Sequence, residues 1–67
     1  MSKNKKYYVV AKGKKRGIFT NWSDCYELTN GYGNNLFKSF SYFEDAQDFL
    51  FEETGIWIEE YEINKRI

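Results

Sequence analysis

Three groups of residues could do chemistry on a ligand, and all of them fall between residues 7 and 40. Lys14, Lys15 and Arg16 stand between two glycines in GKKRG, Trp22 follows in TNWSDC, and Phe37 and Lys38 are adjacent in LFKSF. Cationic side chains neutralise phosphates and flat rings pack against sugars or bases, so the combination points to a nucleic-acid surface. Catalysis has no comparable support. Cys25 is the one thiol and the chain has no histidine to act as its base, so it reads as a buried helix residue facing a sheet. Glu59, Glu60 and Glu62 are close in sequence, but successive positions point in different directions on any regular element, which argues against a magnesium site. No cofactor is expected. Asn21-Trp22-Ser23 matches a glycosylation sequon but reads better as a helix cap, and Gly31-Tyr32-Gly33 is too short for a phosphate loop. Lys14, Lys15 and Arg16 also admit plainer readings, a solvated turn or a nuclear-import run.

The zero net charge conceals a strong asymmetry. Residues 1–17 hold six lysines and one arginine with no acid, whereas residues 44–62 hold eight carboxylates and no base. A polyanion would meet the first face and be repelled by the second. At 67 residues the chain is one domain near the lower limit for an unassisted core. Six Phe, six Tyr and two Trp compensate, since each buried ring removes roughly 150–250 Å² from water. A single cysteine allows no internal disulfide, and no apolar run resembles a signal core or a membrane span. An intracellular setting, cytoplasm or nucleus, with no membrane partner is the expectation.

The elements that must position these residues follow from local pattern. Residues 1–6 are basic and expected to fray. YYVVAK, residues 7–12, reads as a strand, GKKRG as a turn, and residues 18–20 as the returning antiparallel strand. In TNWSDCYELTNG, Thr20 or Asn21 can cap a short helix that Asn30-Gly31 ends. After the GYGNN loop, LFKSF alternates as a third strand, with Leu36, Lys38 and Phe40 on one face and Phe37 and Ser39 on the other. Ser41 and Glu44 have capping-box spacing before a second helix, whose Phe43, Ala46, Phe49 and Leu50 form an apolar stripe under an acidic face and which Gly55 ends. The tail IWIEEYEINKRI fits a strand slightly better than a helix. The fold class is therefore α+β: a three-stranded antiparallel sheet with two short helices in the order β-β-α-β-α, the tail being a candidate extra strand. Three segments result: a basic N-terminus at 1–6, a domain at 7–54 and a C-terminal extension at 55–67.

YYVVAKGKKRGIFTNWSDC, then NGY, FKSF and EDAQDFL, together resemble the hybrid-binding domain at the N-terminus of type 1 ribonucleases H, also found in the viroplasmin proteins of plant pararetroviruses. The resemblance covers residues 7–50. It implies a non-catalytic module for RNA–DNA hybrid, with double-stranded RNA as a weaker ligand. It implies that Trp22 and Phe37 pack on deoxyriboses, that Lys38 meets DNA phosphate, and that Tyr8 lies along the same strand. Phe40 would face inward. The loop containing Gly33, Asn34 and Asn35 would face the RNA and read 2′-hydroxyls, groups only RNA carries. Lys14, Lys15 and Arg16 would add diffuse phosphate contact.

Two departures from the family pattern stand out. Ser39 occupies the place of a second lysine, which should flatten the salt slope by roughly 0.9. Gly33, Asn34 and Asn35 replace a stiffer proline-and-alanine loop, so a looser RNA-facing loop is expected. Full-length family members join the module to a ribonuclease H catalytic domain, a partner that a longer chain would supply. A second function class is a protein-interaction or self-assembly module of viroplasmin type, using the acidic second helix with Trp57 and Tyr61.

Overall fold

The computed structural model describes residues 6–67; the basic N-terminal segment expected to fray lies, apart from Lys6, outside the described residues. β1 (Tyr7–Lys12) and β2 (Gly17–Phe19) form a hairpin, followed by α1 (Trp22–Thr29), β3 (Leu36–Phe40), α2 (Phe43–Thr54) and a 3₁₀ turn at Glu60–Glu62. The sheet has the order β2-β1-β3 with both pairings antiparallel. β-branched and aromatic residues fill β1, and it takes the central place, where both faces are covered.

Period-two alternation in β1 divides the interior into two cores. Val9 and Ile18 face α2 with Ala46, Leu50 and Ile58, while Val10 and Phe19 face α1 with Cys25 and Leu28. The register Val9↔Ile18 and Tyr8↔Phe19 keeps each face uniform across the hairpin. A bulge between Val10 and Lys12 resets the pairing with β3 at Leu36. The apolar stripe of α2 is as the sequence implies, with one addition. Gln47 completes the i, i+3, i+4, i+7 set of Phe43, Ala46 and Leu50, and it is buried. Its amide donates to Ile56 O at 3.3 Å, and its Oε1 accepts from Ile58 N–H at 3.1 Å, so the polar group is satisfied by the tail it holds.

Two glycines make the hairpin turn possible. A Cβ on Gly13 would stand 2.7 Å from both Leu28 O and Val10 Cγ1, where Lys14 N–H donates to that same carbonyl at 2.8 Å. Gly17 has φ +151°, and a Cβ there would meet Lys65 O at 2.6 Å. Only a hydrogen fits in either place.

Helix starts differ in detail from the sequence reading. α1 opens after Asn21, but that side chain makes no capping bond; Thr20 pairs instead with Asn64, its N–H donating to Asn64 Oδ1 at 2.9 Å. α2 opens after Tyr42, one residue late for the expected box, which leaves Ser41 outside the cap and Glu44 at the second helical position, where the reciprocal bonds cannot form. Gly55 ends α2 with φ 78°.

The tail is not a strand. Glu59 N–H donates to Glu62 Oε1 at 2.8 Å and the Glu59 side chain accepts from Glu62 N–H, a capping box, while Glu62 N–H also reaches Glu59 O at 2.8 Å and so closes the 3₁₀ turn. The turn returns the chain to the free edge of β2. There Asn64 N–H donates to Ile18 O at 2.7 Å, and Arg16 and Ile67 exchange two backbone bonds of 2.9 Å. With Ile58 buried and Ile56 and Ile63 packed on the same core, residues 56–67 complete the folded unit.

Candidate nucleic-acid interface

Trp22 is the first residue of α1, and 49% of its surface stays exposed. Its indole lies 5.7 Å from the Tyr8 ring, 5.8 Å from Phe37 and 6.2 Å from Tyr26 between centroids, all tilted. Three elements build this platform. Tyr8 comes from the α1-facing side of β1; Phe37 sits opposite Val10 on the same face of β3; Tyr26 is one helical turn along from Trp22. Phe37 is exposed while Phe40 packs inward against the α2 core, where its ring meets Phe49 at 5.5 Å. Such offset rings hold one another in place, so the platform is preformed.

Lys38 is not part of it. Alternation puts this residue on the α2-facing side of β3, with its ammonium 5.6 Å from the Phe40 ring centroid and 5.9 Å from that of Phe49. These rings park the cation at the outer edge of the sheet. Ser39, paired with Tyr8, is the residue on the platform side. The lysine absent at position 39 is therefore the one whose backbone position would aim it towards the aromatic platform.

A second feature lies at the other end of α1. The β1–β2 turn and the α1–β3 loop enclose an open groove of about 670 Å³, lined by Lys12, Gly13, Lys14, Lys15, Arg16, Tyr32, Gly33, Asn34 and Ile67. Four cationic side chains and no acidic side chain line it. The structure thus brings two separately predicted sets, the basic turn and the glycine-asparagine loop, into one concavity. The loop is also better tied than its composition implies. Asn35 Nδ2 donates to Thr29 O at 3.0 Å, Tyr32 N–H donates to the same carbonyl at 3.1 Å, and Asn34 takes a left-handed φ of 61°. The Asn35 side chain holds the loop and is not directed at the groove. Trp22 stands at the N-terminal end of α1, and the groove opens beyond its C-terminal end.

Cys25 is fully buried, and burial pushes its thiol above the ordinary value. Among the described residues, no group of His, Cys, Asp or Glu is placed to hold a metal ion, and no helix is long and apolar enough to cross a membrane. Sequence reasoning overlooked Tyr26, Lys12 and Tyr32. The i, i+4 spacing of Trp22 and Tyr26 was available as a signal; Lys12 and Tyr32 join only through the turn and loop contacts.

The sequence model of the ribonuclease H1 N-terminal domain family matches residues 6–50, which carry the hairpin, α1, β3 and most of α2. The chain belongs to this family. It is similar to ribonuclease H of Schizosaccharomyces pombe, 42% identical over 50 residues, covering 73% of this chain and 19% of that protein. Similarity to ribonuclease H of Saccharomyces cerevisiae is 36% over 50 residues, covering 75% of this chain and 14% of the relative. Ribonuclease H of Crithidia fasciculata is 39% identical over 44 residues, 66% of this chain and 9% of that protein. The chain thus spans less than a fifth of each of these curated relatives. No solved structure gives a significant match.

Proposed function

We propose that this domain is a non-catalytic module that binds RNA–DNA hybrid, and double-stranded RNA more weakly. Family membership carries the general statement, a nucleic-acid-binding module. The observation that carries the finer one is the platform in which Trp22 and Phe37 stand exposed beside a half-buried Tyr8. A flat ring fits closely against a deoxyribose and is held off by a 2′-hydroxyl, so the platform takes the DNA strand. The RNA strand lies along the basic groove, where backbone groups of Gly33 and Asn34 meet 2′-hydroxyls and Lys14, Lys15 and Arg16 face phosphates. Lys38 reaches phosphate from the sheet edge and contributes charge without stacking. In a longer chain, the module would deliver hybrid to a ribonuclease H catalytic domain.

Fluorescence-anisotropy titrations with matched hybrid, double-stranded RNA and double-stranded DNA, each at two salt concentrations, test this. Hybrid should bind tightest and weaken with salt; equal affinity for all three duplexes would overturn the assignment.

One observation favours a second reading, a protein-contact role on the opposite side. Phe51 and Trp57 are both exposed and pack edge to face at 5.8 Å beside the acidic surface of α2. Concentration-dependent sedimentation would support it, and a monomer at high concentration with tight hybrid binding would count against it.

A further inference from the structure

One ring of the platform contributes little to the fold. Tyr8 packs against the core on the α1 side, whereas Tyr26 is 53% exposed and belongs to neither core. Its position is nevertheless well fixed. Trp22 and Tyr26 stand at i and i+4 on α1, so their side chains share one stripe of the helix. The two rings lie 6.2 Å apart between centroids with a tilt of 47°, and Phe37 meets the same indole at 5.8 Å.

Trp22, Tyr26 and Phe37 thus form one patch of three exposed, adjoining rings. A single exposed tyrosine needs no explanation, but a contiguous aromatic patch on a domain of 67 residues marks a contact surface. A tyrosine that served only to prop the indole would bury most of its surface in doing so. Tyr26 keeps more than half of its own open. It also carries the apolar surface one turn further along α1 than Trp22 does, towards the end where the basic groove opens.

We propose that Tyr26 is a contact residue for the DNA strand of a hybrid: its ring packs on a second deoxyribose, next to the one that Trp22 covers. The chemistry is that of the Trp22 contact, a ring face that fits closely against a sugar lacking the 2′-hydroxyl and is held off by one that has it. The proposal rests on the hybrid-binding reading above and adds to it a residue that widens the contact and sharpens the choice of sugar.

The test measures binding of a short RNA–DNA hybrid and of matched double-stranded RNA at low salt. It compares wild type with Tyr26→Phe, Tyr26→Leu and Tyr26→Ala, alone and combined with Trp22→Leu, with circular dichroism to confirm folding. Tyr26→Ala and Tyr26→Leu should each lose roughly 5-fold or more in hybrid affinity, and Tyr26→Phe, which keeps the ring, less than about 2-fold. Double-stranded RNA, which has no deoxyribose, should lose less, so the preference for hybrid narrows. Tyr26→Leu retains an apolar contact with the indole, so this arm holds even if Tyr26→Ala disturbs Trp22. In the Trp22→Leu background, Tyr26→Ala should weaken hybrid binding again. No further loss there would make Tyr26 a prop for the indole and overturn the proposal. So would unchanged hybrid affinity in Tyr26→Leu, or equal losses for hybrid and double-stranded RNA. A wild-type domain with no preference for hybrid would overturn the underlying reading and this proposal with it, a result visible before any Tyr26 variant is compared.

Discussion

Replacing Trp22 with alanine separates ligand contact from core packing. About half of the Trp22 surface is exposed, so the substitution removes roughly 75–125 Å² of buried area, half of the ~150–250 Å² that an aromatic side chain can bury. At about 25 cal/mol per Å² this costs about 2–3 kcal/mol, an upper bound because the unfolded chain already hides some of that area. A domain of this size has roughly 3–5 kcal/mol from its core, so Trp22→Ala should fold at low temperature with a clearly lower Tm. Trp22→Leu, which keeps aliphatic contact with Tyr8 and Phe37, should lose less. Binding should respond differently from stability. Stacking of this kind is worth about 1–3 kcal/mol, so both variants should lose roughly 5- to 150-fold in affinity for hybrid. Loss for double-stranded DNA should be smaller, and the preference for hybrid should collapse. Anisotropy titration at low temperature, with near-ultraviolet circular dichroism on the same samples, reads both effects. A folded Trp22→Leu that retains wild-type hybrid preference would refute the reasoning, because the indole would then serve packing alone.

Three further outcomes follow from the same geometry. Ser39→Lys should tighten hybrid binding and steepen the slope of log affinity against log salt by roughly 0.9, since residue 39 lies on the platform side opposite Tyr8; an unchanged slope would place the platform away from phosphate. Ile58→Ala should cost about 2–5 kcal/mol in denaturant unfolding, because Ile58 is 2% exposed in the α2 core; a cost below about 1 kcal/mol would show the tail to be dispensable. Cys25 should resist thiol reagents in the folded domain and react once it is unfolded. Burial raises its pKa, so the unfolded chain ionises first and stability should hold below pH 9.0 and fall as pH rises above it; rapid labelling of the native thiol would contradict this.

Much of the fold was legible because local signals and the global arrangement agree. The alternation of YYVVAK and LFKSF assigns each side chain to a face without reference to the rest of the chain; it sets Phe37 and Phe40 on opposite faces, the family resemblance implies that Phe40 is the inward one, and the structure packs it so. The stripe of Phe43, Ala46 and Leu50 places α2 in the same way. Cys25 is buried as its surroundings implied. The helix caps were less legible. A one-residue shift in the start of α2 disables the Ser41 box, and Thr20 gives its hydroxyl and amide to Asn64, 44 residues away.

By itself, the sequence determined which residue types could meet a polyanion, the order of the elements and the face each side chain takes, because these depend on composition and on periods of 2 and 3.6 residues. Tertiary structure decided which of those residues act together. It gathered Tyr8, Trp22, Tyr26 and Phe37 into one platform, and joined the basic turn to the loop at 33–34 in one groove. It also turned an ambiguous tail into the strap that covers the β2 edge and brings Arg66 to α1. Contacts between residues some 40 positions apart leave no local period, so only the closed core and its edge hydrogen bonds could reveal them.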